Sequence, residues 1–371
     1  MKKFALFNFL LLLVLFACDS ADHNPFFSDY DTSFQTPPFE KIKESHFMPA
    51  FQEGMKEQQA EIRMITENRE EPTFENTIEA LERSGSLLTK VSSVFYNLTS
   101  AQTNDEIQKI SKEIAPQLSK HNDDISLNEK LFQRVKIIYQ MRDRLNLSPE
   151  EKKLLDETYK YFVRGGANLS ETDKNILREI NKELSLLSIQ FGENVLKETN
   201  NFELVIEKEE DLAGLTDAAV AAAAAAAEER SYPGKWVFTL HKPSLIPFLQ
   251  YSEKRDLREK IFKAYINLGN NNNEYDNKKI LTRMASLRVQ KANLLGYDTH
   301  AHFILEENMA GEPGQVYDLL KQLWEPALAK AKHEADQLQE MIYREDHNFK
   351  LQPWDWWYYA EKLKKEKYDL D

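Results

Sequence analysis

Apolar residues recur along most of this chain every three or four positions, the spacing that lines one buried face of an α-helix. Phe39, Ile42, Phe47, Ala50, Phe51 and Met55 open the pattern. Behind Glu71-Pro72-Thr73, the stripe Phe74, Ile78, Leu81, Leu88, Val91, Phe95 and Leu98 predicts one continuous helix, with Thr73 as N-cap and Glu75 in the first turn. Ile107, Ile110, Ile114 and Leu118 predict a third helix, which Pro116 should kink or end. Leu131, Val135, Ile138 and Leu145 predict a fourth. Ser148-Pro149-Glu150-Glu151 combines a serine cap, a proline at the first helical position and a glutamate that closes the capping box. Its helix should run to Phe162 and stop at Gly165-Gly166. Ser170 to Asp173 opens a long one, expected to bury Ile176, Ile180, Leu184, Leu187, Phe191 and Val195.

The period then changes to two. Phe202, Leu204 and Ile206 alternate, as do Trp236, Phe238 and Leu240, so two strands should pair around the insertion between them. That insertion holds Ala218 to Ala227, nearly pure alanine, which predicts a short helix and is also the composition of a low-complexity spacer. Pro243-Ser244 should end the strand and cap a return to helix. Helices follow over 253–265, 276–295, 298–307 and 314–343, divided by Gly269-Asn270-Asn271-Asn272-Asn273, Gly296 and Gly311-Glu312-Pro313-Gly314. A last helix starts behind Pro353, with Asp355 as its expected cap, and shows no glycine or proline to close it. The chain is therefore expected to stop inside an element. Its helices from Asp276 onward should leave apolar surface uncovered, and that surface should promote self-association.

Composition supports a mainly α fold. Of 371 residues only 11 are glycine, and 42% are hydrophobic, enough for a substantial core. The formal charge of −13 excludes a nucleic-acid partner, which would require clustered Lys and Arg. At the start, Met1-Lys2-Lys3 precedes an apolar run from Phe4 to Phe16, too short to span roughly 30 Å of hydrocarbon. The run reads as a secretory signal, and Cys18, the one cysteine, stands where a bacterial lipoprotein signal places its lipidated residue. A cleaved signal with an incidental cysteine is the alternative. The implied organisation is a signal over 1–18, a tether over 19–36 and a helical region over 37–200. A β-hairpin with its alanine-rich insertion follows over 201–243, and a second helical region over 244–371. Membrane attachment through a lipid at Cys18 would place the protein at the bacterial cell envelope, on the periplasmic or outer-surface side.

Candidate chemistry is sparse. His333-Glu334-Ala335-Asp336-Gln337 begins like a helical zinc motif, but Gln337 stands where a second imidazole is needed. His300-Ala301-His302 is a poor ligand pair, because residues two apart diverge on a helix. His23, His46, His121, His241 and His347 are scattered singly, and there is neither a Gly-x-Ser-x-Gly elbow nor a phosphate-cradling glycine loop. Trp356, Trp357, Tyr358 and Tyr359 fit either a peptide-binding channel lining or core packing between helices.

Several stretches, in order, resemble the M3 zinc oligopeptidases, in particular their bacterial peptidyl-dipeptidase branch. They are Pro72-Thr73-Phe74-Glu75-Asn76-Thr77, Phe238-Thr239-Leu240 with Pro243-Ser244, and Arg258 to Tyr265. Asn271-Asn272-Asn273-Glu274-Tyr275-Asp276-Asn277, Ala292-Asn293-Leu294-Leu295-Gly296-Tyr297 and Pro353-Trp354-Asp355 continue the series. The resemblance implies an elongated multi-helix domain of the M3 type, its N-terminal half, with a small β-hairpin and a deep channel. It implies hydrolysis of short peptides by a protein that is a monomer at full length. Members carry His-Glu-x-x-His, whose imidazoles hold zinc while the Glu acts as base. This sequence lacks that motif, so zinc belongs to the full-length enzyme, and this chain is expected to bind none and to be inactive alone. Two other readings compete: a helical lipoprotein that binds peptides or a protein partner without chemistry, and an enzyme that uses His333 and Glu334 in an unfamiliar site.

Overall fold

The computed structural model describes residues 23–369, so Cys18 and the signal segment lie outside the described residues. The architecture is mainly helical with one small antiparallel sheet, as the hydrophobic periodicity requires. The chain forms two compact units, Met1–Leu186 and Leu187–Asp371.

In the first unit, α1 (Glu44–Glu67) packs along α3 (Ser86–Ala101) and α4 (Asp105–Ser126). Their apolar stripes bury Phe47, Phe51, Val91, Phe95, Ile110 and Ile114 in one cluster, with Phe47 and Phe51 set edge-on to Phe95. The described part of the expected tether packs here too. Phe26 is buried against Phe47, Asn24 donates to the His46 carbonyl at 2.8 Å, and Lys90 Nζ donates to the Ser28 carbonyl at 2.6 Å.

The helix expected to run from Phe74 to Leu98 is two. Thr73 caps its first part as predicted, in a box with Asn76. That part, α2, winds as a π turn over Phe74–Glu79 and continues through Ala80–Glu82. Gly85, at φ 75°, then breaks it and donates its N–H to Glu61 Oε2 at 2.7 Å. Pro116 does not end α4, which runs on to Ser126. Burial of Ile107, Ile110 and Ile114 before it and Ile125 after it outweighs one lost backbone hydrogen bond.

A second cluster joins α2, α5 (Glu129–Met141) and α6 (Pro149–Arg164) through Phe74, Ile78, Leu131, Phe132, Val135 and Phe162. Arg134 crosses it almost buried, donating to Thr77 Oγ1, Asn76 Oδ1 and the Asn68 and Glu70 carbonyls at 2.9–3.2 Å. The Pro72–Thr77 motif is thus the receptor of a buried guanidinium. Ser148 and Glu151 form the predicted capping box. In α7 (Glu171–Asn201) the inward positions include Leu177 and Ile180, while Ile176, expected to be buried, is exposed.

The second unit starts within α7. β1 (Leu204–Ile206) and β2 (Trp236–Phe238) pair antiparallel, Leu204 opposite Phe238 and Ile206 opposite Trp236. Between them α8 (Asp217–Glu229) forms from the alanine run and buries Ala223 and Ala227 on the sheet side. α9 (Lys242–Tyr251) begins one residue after His241, so Ser244 lies inside it, and its hydroxyl accepts the Thr239 N–H at 3.0 Å. α10 (Arg255–Ile266) closes the cluster of Phe238, Leu245, Phe248 and Ile261.

The asparagine-rich loop after α10 folds around a buried carboxylate from α7. Glu198 accepts the Gly269 N–H and both Asn271 and Asn273 side-chain amides at 2.5–2.9 Å. α11 (Lys278–Leu294) and α12 (His300–Leu305) follow. α13 (Pro313–Arg344) and α14 (Pro353–Tyr368) pack together through Leu338, Met341, Ile342 and Tyr359. α14 does carry a closing cap: Asp369 takes the left-handed conformation at φ 49°, and its N–H donates to the Lys365 carbonyl. Aspartate visits that region more readily than most side chains, which is why the absence of glycine misled the sequence reading.

Candidate functional site

The Pro353-Trp354-Asp355 head of α14 holds the densest charged cluster of the second unit. Pro353 occupies the first turn, where its missing N–H costs nothing, and Gln352 is the N-cap. Asp355 lies three residues past the cap, and its Oδ2 accepts the Gln352 backbone N–H at 3.1 Å. It therefore serves the helix start from inside the first turn rather than from the cap position expected of it.

The same carboxylate is fully buried and anchors two arginines of α10. Arg255 and Arg258 are three residues apart, so they project from one face. Arg255 donates through Nε to Oδ1 at 3.0 Å and through Nη2 to Oδ2 at 2.9 Å. Arg258, itself buried, donates through Nη2 to Oδ1 at 3.0 Å and through Nη1 to the Ser252 carbonyl at 2.7 Å. Aromatic faces complete the enclosure. Phe349 lies 4.2 Å from the Arg255 guanidinium carbon, and Tyr358 lies 4.2 Å from that of Arg258. Geometry this good, with both carboxylate oxygens engaged, offsets the cost of removing Asp355 and Arg258 from water, while Arg255 stays partly exposed. Its chemical capacity is positional. It fixes α14 on α10.

The four aromatics that follow do not share one surface. Consecutive residues sit about 100° apart on a helix, so they point all round it. Trp356 joins the apolar cluster with Leu338 and Met341, Tyr358 stacks on Arg258, Tyr359 is buried, and Trp357 is exposed. Burial, reinforced by the negative charge of Glu345, pushes the Tyr359 phenol up to about 12. It stays neutral throughout the physiological range.

The histidine near-misses have other partners. Gln337 Oε1 accepts from Lys367 Nζ at 3.3 Å, and Glu334 faces Lys330 at 3.7 Å, beside a shallow cavity of about 250 Å³ that also borders Trp356 and Tyr368. His333 is exposed. His302 Nδ1 pairs with Thr299 Oγ1 at 2.9 Å. The imidazole of His300 is held below the usual histidine range by burial and by the cations Arg288 and Lys291, surroundings that repel a divalent metal. Among the described residues no group of three or more His, Cys, Asp or Glu side chains could hold a metal ion. The residues present do not fit a zinc site, and no chemical step is assigned to one.

Arg255 and Arg258 escaped the sequence reading as partners of Asp355. The available signal was an Arg-x-x-Arg pair on one helical face together with a lone aspartate in an aromatic run about a hundred residues later.

Residues 248–371, which hold this arginine–aspartate lock, the asparagine loop and the Pro-Trp-Asp helix, match the model of peptidase family M3. Over 348 residues the chain is 36% identical to a dipeptidyl carboxypeptidase of Escherichia coli, covering 94% of this chain and 51% of that protein. It is 31% identical over 339 residues to an oligopeptidase A of Haemophilus influenzae, and 24% identical over 313 to saccharolysin of Saccharomyces cerevisiae. The matches cover 90% and 81% of this chain. They cover 50% and 43% of those proteins, so the chain spans about half the length, or less, of these curated relatives.

Proposed function

We propose that this chain forms the substrate-channel portion of a zinc-dependent peptidyl-dipeptidase or oligopeptidase that hydrolyses short peptides. The observation that carries the reading is the match over 94% of the chain to a dipeptidyl carboxypeptidase. In that reading the zinc ligands come from the length of relative that the chain does not span. Bound zinc would supply a polarised water for attack on a peptide carbonyl. The residues of this chain shape and support the path of the peptide: Trp357 is an exposed aromatic in the first turns of α14, while Asp355, Arg255 and Arg258 fix the helix that carries it. We further propose that Cys18 is lipidated and holds the protein at the bacterial cell envelope.

The test is peptide hydrolysis. The purified chain, supplied with zinc, is expected to release no dipeptide from a blocked tetrapeptide. The product of the reading frame extended beyond the Asp371 codon is expected to carry His-Glu-x-x-His and to release it. Zinc-dependent cleavage by the 371-residue chain alone would overturn the assignment of the zinc ligands to the rest of the protein.

A further inference from the structure

One face of α13 is apolar from end to end. Tyr317, Leu320, Trp324, Leu328, Ala331, Ala335, Leu338 and Ile342 follow each other at three and four residues, so they lie within one stripe of the helix. Its C-terminal part is an established interface, in which Leu338 and Ile342 are buried against α14. Its N-terminal part is bare: Tyr317, Leu320, Leu323, Trp324 and Leu328 are 36–65% exposed. The stripe is as apolar in the uncovered stretch as in the covered one.

These five large side chains, neighbours along the N-terminal part of the helix, form a patch of the size that monomeric proteins ordinarily cover or use, on the order of a few hundred Å². Two features indicate what covers it. The stripe runs straight on from a helix–helix interface inside the same unit, so the missing neighbour is a further helix with an apolar face. The M3 relatives have about twice the length that this chain spans, so their architecture supplies polypeptide to provide it.

We propose that the Tyr317–Leu328 stripe of α13 is the docking surface for an amphipathic helix from the portion of the M3 polypeptide that this chain does not span. The proposal rests on the family reading and adds to it the place where the rest of the protein attaches.

The test is to produce the 371-residue chain together with the portion of the Escherichia coli dipeptidyl carboxypeptidase that it does not match, and to measure their association. A one-to-one complex is expected, weakened at least tenfold by Leu320→Glu or Trp324→Glu. Leu281→Glu, on exposed α11 surface, should leave it unchanged. Circular dichroism melts of the variants establish that each is folded. A complex indifferent to the stripe substitutions, or no complex at all, would overturn the proposal. So would a stripe-dependent homo-oligomer that the added portion fails to displace, because the occupant would then be a second copy. A complex that forms as expected and cleaves no peptide would leave the surface standing and remove the peptidase reading.

Discussion

Asp355 is the only carboxylate bonded to Arg255 and Arg258 among the described contacts, and Arg258 has no route to water from where it lies. Asp355→Asn keeps the shape and removes the charge, which leaves a buried guanidinium uncompensated. The expected loss is about 3 kcal/mol, read as a lower urea midpoint for the second unit. A midpoint unchanged within error would show that solvent, not Asp355, compensates Arg258. His121 gives the first unit its own pH response. Its Nε2 lies 2.7 Å from Gln58 Oε1, which only an N–H can satisfy, and its Nδ1 is buried without a partner. Burial therefore lowers its pKa, against the pull of Asp124 and with the help of Lys120. A group whose folded pKa is depressed lets the unfolded chain take up the proton first. Stability should hold above the unfolded histidine value of about 6.5 and decline as pH falls from there through the lower folded value. Urea midpoints from pH 8 to 5 check this, and His121→Gln should lose that part of the slope. Parallel profiles for the two proteins would assign the slope elsewhere.

At the scale of elements, the crossing of α1 and α3 is tightly constrained. A Cβ on Gly54 would stand 2.9 Å from the Leu88 backbone, which cannot yield as a side-chain tip can. Gly54→Ala should push the helices apart at a cost of roughly 1–3 kcal/mol, seen as a lower melting temperature with unchanged helix content. A neutral or stabilising result would mean that the pair repacks freely. The stripes that build these helices were legible in the sequence because burial follows period, and so were the Thr73 and Ser148 caps and the paired strands. What period alone conceals is a break that preserves phase. Gly85 interrupts a stripe whose apolar residues resume on the same side, so α2 and α3 read as one helix. Pro116 shows the converse, a residue with a strong local preference overruled by the isoleucines around it. Ile176 and Leu177 differ by one position, and only the packing partner decides which turns inward. The lock around Asp355 was half visible: its helix start could be read from Pro353, but nothing local to α14 identifies partners on α10.

At the scale of the molecule, the relationship to family M3 extends over nearly the whole chain, whereas the family model covers only residues 248–371. The sequence similarity therefore reaches beyond the segment that the family model matches. The two units solve the same problem differently. The first buries Arg134 among two backbone carbonyls, the Thr77 hydroxyl and the Asn76 side-chain oxygen, all neutral acceptors. The second pairs Arg258 with a carboxylate 97 positions further along the chain. That distance has a consequence in time. A ribosome adds about 5–20 residues each second, so Arg258 waits on the order of 5–20 s for Asp355 to be made. During that interval Arg258 lacks the carboxylate that finally holds it, so the lock between α10 and α14 can form only after α14 has been made.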